Sequence, residues 1–337
     1  MAQLSSRHII SVNDLEKQLG VNRLPMFIHE AETEFLEMTE RVVKYIASHP
    51  GVHAVFVSGP TSSGKTTFTE RLAMGIRSMG KDALRLSLDD FYDVGDVHFD
   101  AFGRPDYESV STIDVRLAGR TIKELLEYKP VLIPEFNFRA RKREWPKPED
   151  TTCLARDGIV LVEGLHGLAP EIVAHLPRSS WIGAFIMPYG DVVADKKLFS
   201  SEDFRLLRRI VRDERHRGAH ALATIDYWPM IAQAEKKYFE SYLSRADFYV
   251  NSVLSYESLV IAPVAREDIS NALDKYKKGD LEPSVFMAKT VPSKDFAQIE
   301  IAVARAEQLL HDLSRIPEVP HSIVPEHSIL QEFIGAL

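Results

Sequence analysis

Residues Gly59 to Thr66 read G-P-T-S-S-G-K-T and fit the pattern G-x-x-x-x-G-K-[ST]. These types at this spacing suit the capture of a nucleoside triphosphate by its phosphates. Gly59 and Gly64 let the backbone turn tightly and bring N–H groups onto phosphate oxygens. Thr61, Ser62, Ser63 and Thr67 complete the loop and the first helical turn around the anion. Lys65 would reach the β- and γ-phosphates, and the Thr66 hydroxyl would ligate Mg²⁺. An apolar run precedes the loop and a helical pattern follows it, so a helix N-terminus would face the phosphates. A plain Gly/Ser-rich turn is the alternative, and that context argues against it.

Holding phosphates leaves open what is done with them. Asp89 stands just past the apolar stretch "LRLSL", at the carboxyl end of an expected strand, where open α/β sheets bind ligands. There it can accept a proton from an attacking hydroxyl as phosphoryl transfer begins. Equally, Asp89 or Asp90 can simply shape a turn. Glu163 closes the run "GIVLVE" and would act on Mg²⁺, directly or through water, unless it is only a surface strand end. The stretch 203–217 carries Arg205, Arg208, Arg209, Arg212, Arg215 and Arg217. Arg205, Arg209 and Arg212 are spaced four and three apart and share a helical face. Such a run is ordinarily a solvated face. Beside a phosphate loop it also suits a mobile lid that brings cations to the transferred group and excludes water. "FNFRARKRE" (136–144) alternates aromatic and basic residues; it could stack a base or clamp an anion, or be a strand end with a solvated basic turn. The twelve histidines are read as lacking metal-ligand spacing, and Cys153 follows "EDTT" with nothing to mark it as reactive.

Elements must position these groups. "HAVFVSG", "ALRLSL", "GIVLVEG", "GAFIMPYG" and "DFYVNSVL" read as buried strands. Helical patterns lie between them, at 66–80, 113–129, 201–218 and from Tyr227 onward. That alternation predicts an α/β fold with a doubly wound, mainly parallel sheet. Residues 1–50 read as a helical extension, 51–264 as the catalytic core with a lid helix at about 201–220, and 265–337 as a less regular extension. The last of these contains a helix, a Pro-spaced linker and an apolar stretch, "ILQEFIGAL", that should dock on its own core or on a partner.

Composition narrows the class. The chain has 337 residues, 45% hydrophobic and 27% charged, with a net charge of −8, so bulk binding of nucleic acid or anionic membrane is disfavoured. A single cysteine allows no intrachain disulfide and fits a reducing, cytoplasmic setting. No apolar run approaches the roughly 18 residues of a membrane span.

Taken together, "GPTSSGKTT", "LSLDDFY", "HFDAFGRPDYES", "IPEFNF", "VLVEGLHGL" and "RLLRRIVRDERHRG" resemble, in order, the motifs of the uridine kinase/phosphoribulokinase family of P-loop kinases. A bacterial-type uridine kinase-like, or nucleoside kinase, subgroup is more similar still and shares the terminal "SILQEFIG". Many of its members carry a threonyl-tRNA synthetase-like N-terminal region, which would make this chain a short form. The resemblance implies Asp89 as the base, and Tyr92 and Asp106 near the acceptor. It implies Thr66 and Glu163 at Mg²⁺, and Arg205, Arg209, Arg212 and Arg217 in the lid. At the substrate end the chain departs from the pattern. Phe136, Asn137 and Phe138 replace Tyr-Asp-Phe, Arg141 stands at a histidine position, and Ala219 takes the place of a lid arginine.

The expectation is an ATP- and Mg²⁺-dependent kinase acting on a hydroxyl of a small molecule, foremost a nucleoside, with altered specificity. Lys65, Arg209 and Arg212 would act with Asp89, and Arg205 and Arg217 would contact the nucleotide. A kinase of another polyol or a sugar phosphate is the alternative, as is a regulatory nucleotide-binding NTPase. Homo-oligomerisation stays open.

Overall fold

Short runs such as Ala54-Val-Phe-Val-Ser58 become central strands because both of their faces find cover. The computed structural model describes residues 7–93, 95, 97–137, 140, 142–287 and 294–335. In chain order it contains β1 (His8–Ser11), α1 (Val12–Gln18), α2 (Arg23–Ser48), β2 (Ala54–Ser58), α3 (Lys65–Ser78) and β3 (Ala83–Ser87). Next come α4 (Val115–Leu126), β4 (Glu135–Asn137), β5 (Lys142–Glu144), β6 (Ile159–Glu163), α5 (Pro170–Val173) and β7 (Trp181–Met187). The remainder is β8 (Gly190–Val193), β9 (Lys197–Phe199), α6 (Ser201–His216), α7 (Ala221–Leu243), β10 (Phe248–Asn251), α8 (Glu257–Lys278), α9 (Ile299–Leu313) and α10 (Gln331–Ile334).

Five strands form one parallel sheet in the order β10-β7-β2-β6-β3. From β2 the chain crosses to the edge strand β3, returns to β6 beside β2, and then moves to β7 and β10 on the other side, so the direction of winding changes at β2. Alternate residues feed two cores. Val55, Val57, Ile159, Leu161, Ile182 and Ile186 meet helices including α2, α3, α6 and α8. Phe56, Val160, Val162, Trp181 and Phe185 meet α4, α5 and the end of α7. The architecture is the doubly wound α/β sheet read from the sequence. Among the described residues no helix is long and apolar enough to cross a membrane.

Three local readings change. The stretch read as a helical extension opens with a strand: β1 pairs in parallel with β8, which pairs antiparallel with β9 in a second small sheet. Lys142–Glu144, within the basic run, form the return strand of a hairpin, with β4 antiparallel to β5. Helix α8 runs straight through residue 264, where the sequence suggested that the core ends. Pro263 lies inside α8 and leaves the Leu259 carbonyl without its helical donor. The Val319 N–H supplies one at 3.1 Å, so the helix continues past the proline.

On the second core, His166 follows β6 and bridges elements far apart in sequence. One ring nitrogen meets the Tyr242 hydroxyl at 2.6 Å and the other meets the Glu108 carbonyl at 2.9 Å. The Glu108 carbonyl can only accept, so Nε2 carries the proton and Nδ1 accepts from Tyr242. Burial pushes the imidazole down to about 4, so it stays neutral in the fold. A depressed pKa contributes stability above the unfolded value near 6.5, lost as pH falls through 4. Urea midpoints measured from pH 7 to pH 4 should show a loss of about 3 kcal/mol from this group. His166→Gln should flatten that pH slope; an equally steep slope in the variant would remove His166 as its source.

Candidate active site

The loop between β2 and α3 is built for close approach. At Gly59 an added Cβ would lie 2.0 Å from the Ile186 carbonyl oxygen, so no side chain fits there. Gly64 sits at φ +88°, in the left-handed region, and lets the chain enter α3 at Lys65. Ser62 also has a positive φ, 56°. Successive backbone donors therefore curl around one point, as in an anion nest. The Ser62 and Ser63 hydroxyls are buried in this loop and have no hydrogen-bond partner. Orphaned buried donors of this kind match a phosphate cradle, which would satisfy them. Lys65 Nζ donates to the Pro60 carbonyl at 2.9 Å, folded back over the loop, while Thr66 is exposed at its mouth.

Carboxylates gather beside it at the strand ends. Glu163 ends β6 in register with both Val57 of β2 and Ser87 of β3. Ser87 Oγ donates to its Oε1 at 3.2 Å. Burial, then the neighbouring Asp89 charge, push the Glu163 carboxyl up to about 7, against the pull of Lys65. Glu332 adds to the push. Asp89 lies one turn past β3, with its N–H donating to the Ser87 hydroxyl at 3.3 Å. No described residue hydrogen-bonds its carboxylate, which leaves it able to accept a proton. Such a concentration of negative charge suits a divalent cation. Mg²⁺ commonly takes one or two carboxylates plus phosphate oxygens rather than an all-protein cage.

Cations approach the loop from α6. Ser200 and Asp203 form a capping box that starts this helix. Arg209 Nη1 donates to Thr61 Oγ1 at 2.9 Å, and Arg212 Nη2 reaches the same atom at 3.5 Å. Asp213 organises both. Burial would raise its carboxyl, but Arg212, Arg209 and Arg217 together hold it down at about 2. Arg209 also faces Glu108 at 3.7 Å, and burial raises the Glu108 carboxyl despite that partner.

Some expected groups lie elsewhere. Arg205 points away from the loop: Glu235 of α7 takes both terminal nitrogens, and the Trp228 ring lies 5.4 Å from the guanidinium. Asn137 is engaged within the hairpin, donating to Glu144 at 3.2 Å and accepting from Ala140 N at 2.9 Å. Phe138 and Arg141 fall outside the described residues. Tyr92 is brought to the site edge, its hydroxyl donating to the Tyr107 carbonyl and its ring 5.4 Å from Phe136. Asp106 accepts from Glu108 N at 3.1 Å, shaping the loop that carries Glu108. Arg217 lies 3.6 Å from Asp213. Helix α6, expected as a mobile lid, is packed, with Arg208, Arg209 and Asp213 all buried. His216 and His220 do stand in H-x-x-x-H spacing, against the sequence reading. The helix ends at His216 and Gly218 turns at φ +63°, so the two rings share no helical face.

Arg208, indistinguishable from its neighbours in sequence, holds the loop in place. It is fully buried and paired with Glu257 of α8 through Nε and Nη2, the latter at 2.6 Å. It also donates to the Ser252 carbonyl at 2.6 Å and to the Ser62 carbonyl of the phosphate loop at 3.3 Å. Removing one partner leaves an uncompensated buried charge. Glu257→Ala should cost about 3–5 kcal/mol in urea unfolding. A loss under about 1 kcal/mol, the range of exposed pairs, would show the pair to be dispensable.

Comparisons with known proteins show the family. The model of the Phosphoribulokinase / Uridine kinase family matches residues 54–257, more than half of the chain, and the chain belongs to that family. A uridine kinase of Staphylococcus epidermidis is 22% identical over 198 residues, covering 58% of this chain and 84% of its own. A uridine kinase of Ligilactobacillus salivarius is 25% identical over 177 residues, covering 51% of this chain and 71% of its own. Among solved structures, one of a possible uridine kinase from Bacillus stearothermophilus aligns at 16% identity with a TM-score of 0.42. It covers 65% of this chain and 100% of its own.

Proposed function

We propose that this member of the phosphoribulokinase/uridine kinase family transfers the γ-phosphoryl group of ATP to a hydroxyl of a small molecule, foremost a nucleoside. One observation carries the reading: four kinds of group meet at the carboxyl end of the parallel sheet. They are a phosphate cradle with orphaned donors, an unengaged carboxylate at Asp89, a metal-suited carboxylate at Glu163, and paired guanidiniums on Thr61. Residues 59–67 would hold the phosphates. Thr66 and Glu163 would hold Mg²⁺, which neutralises phosphate charge when bound.

The chain's own groups then divide the work. Asp89 accepts the proton of the acceptor hydroxyl as its oxygen attacks the γ-phosphorus and the bond to the β-phosphate oxygen breaks. Arg209 and Arg212, fixed by Asp213, stabilise charge on the transferred group and on the leaving phosphate. The low dielectric around these buried side chains strengthens that effect and disfavours water as acceptor. Tyr92 and Phe136 offer an aromatic edge beside Asp89 that suits a base, in keeping with the uridine kinases to which the chain is similar. A polyol or sugar phosphate is the second acceptor class, favoured by the nearby arginines.

The test is ADP release with a panel of nucleosides, sugars and sugar phosphates. Acceptor-dependent release is expected, and strong acceptor-independent hydrolysis would refute the kinase reading. Asp89→Asn should lower turnover by about 10²–10⁴-fold while ATP affinity stays unchanged. Wild-type turnover in that variant would remove Asp89 as the base.

A further inference from the structure

The segment that follows the Pro-spaced linker docks on the phosphate loop itself. Glu332 of α10 accepts from both the N–H and the hydroxyl of Thr67, at 3.3 and 3.0 Å, on the same oxygen, Oε2. Thr67 lies in the first turn of α3, whose N–H groups have no helical partners and form the electropositive end that a P-loop presents to its anion. Glu332 thus places a carboxylate, with a phosphate's charge sign and acceptor oxygens, on a phosphate donor pair.

Its neighbours extend the cover. Ile329 packs directly on Gly64: a Cβ at that glycine would lie 2.1 Å from Ile329 Cδ1. Phe333 lies 4.9 Å from the guanidinium of Arg208, the residue that grips the Ser62 carbonyl. Ser328 Oγ meets the Tyr256 hydroxyl at 3.2 Å, anchoring the start of the segment. Ile329, Leu330 and Phe333 are fully buried. Glu332, between them, is the charged group that the segment directs at the loop.

We propose that residues 328–335 act as a built-in competitor for nucleotide, with the Glu332 carboxylate seated on Thr67 where a phosphate oxygen must go. The proposal rests on the kinase reading and adds regulation of that same site. Nucleotide and segment cannot both satisfy the Thr67 donors, so binding displaces Glu332 and loosens the contacts on Gly64 and Arg208. Any partner or condition that draws the segment away raises nucleotide affinity.

The test titrates ATP–Mg²⁺ into the full chain and into Glu332→Gln, which keeps size and an acceptor oxygen but removes the charge. The variant should bind at least about tenfold more tightly, since a charge-assisted contact no longer has to be broken. Hydrogen exchange of wild-type amides 328–335 should rise on adding ATP–Mg²⁺, a measurement independent of how the variant folds. If wild type binds ATP and Glu332→Gln binds it equally or more weakly, this inference alone falls. Unchanged or increased protection of 328–335 on ATP binding also overturns it. If neither protein binds ATP, the kinase reading fails and takes this one with it.

Discussion

The buried pair between Arg208 and Glu257 is the contact on which the rest of the site depends. It joins α6 to the start of α8, and through the Ser252 and Ser62 carbonyls it fixes the end of β10 and the phosphate loop to the same guanidinium. Two charges removed from water are expensive unless every donor and acceptor is engaged. Here the planar guanidinium spends its donors on a carboxylate and two carbonyls, as its fork geometry allows. Because this arginine is fully committed, it cannot also serve the phosphates. Arg209 and Arg212, one residue and one turn further on, are the ones that reach Thr61 of the loop.

Those two arginines are arranged by a charge of opposite sign beneath them. Asp213 has no exposure and takes the Nε of each at 3.0–3.1 Å. Without it, Arg209, Arg212 and Arg217 would repel one another; burial and that mutual repulsion already bring Arg212 down to about 10. On the opposite wall Asp89 and Glu163 repel each other in the same way. The site therefore gathers two like-charge groups around the phosphate loop, cations on α6 and carboxylates at the strand ends, which suit an anion and a cation respectively.

The central sheet was legible because most of its strands, such as β2, β6 and β7, are apolar runs, and the loop from Gly59 to Thr66 states its own geometry. The positions of Glu163 and Asp89 at strand ends were legible in the same way: Glu163 closes β6 and Asp89 stands two residues past β3. Roles set by distant partners were not legible. Arg205 and Arg208 look alike in sequence, yet Glu235 and Glu257, 30 and 49 residues away, hold both in buried ion pairs. The continuation of α8 past residue 264 was not legible, because the Val319 N–H that caps the Leu259 carbonyl freed by Pro263 lies 60 positions downstream of it. Asn137 resembles a substrate contact until the hairpin partner Glu144 is seen. Glu332 carried no local signal; only its placement on Thr67 gives it meaning.

Arg104 lies in the loop between β3 and α4 and is almost wholly buried. It donates to Asp100 at 3.0 Å within its own loop, to the Asp226 carbonyl of α7 at 2.6 Å and to Gln298, just before α9, at 3.0 Å. Asp226 in turn accepts the N–H groups of Ala297 and Gln298, both at 2.7 Å. The loop that bears Asp106 and Glu108 is thus moulded partly by residues of α7 and of the segment before α9. Substitution at 226 or 298 would reshape that loop while leaving the phosphate loop intact. Specificity in such a scaffold can drift through its distant supports, with the donor chemistry inherited unchanged.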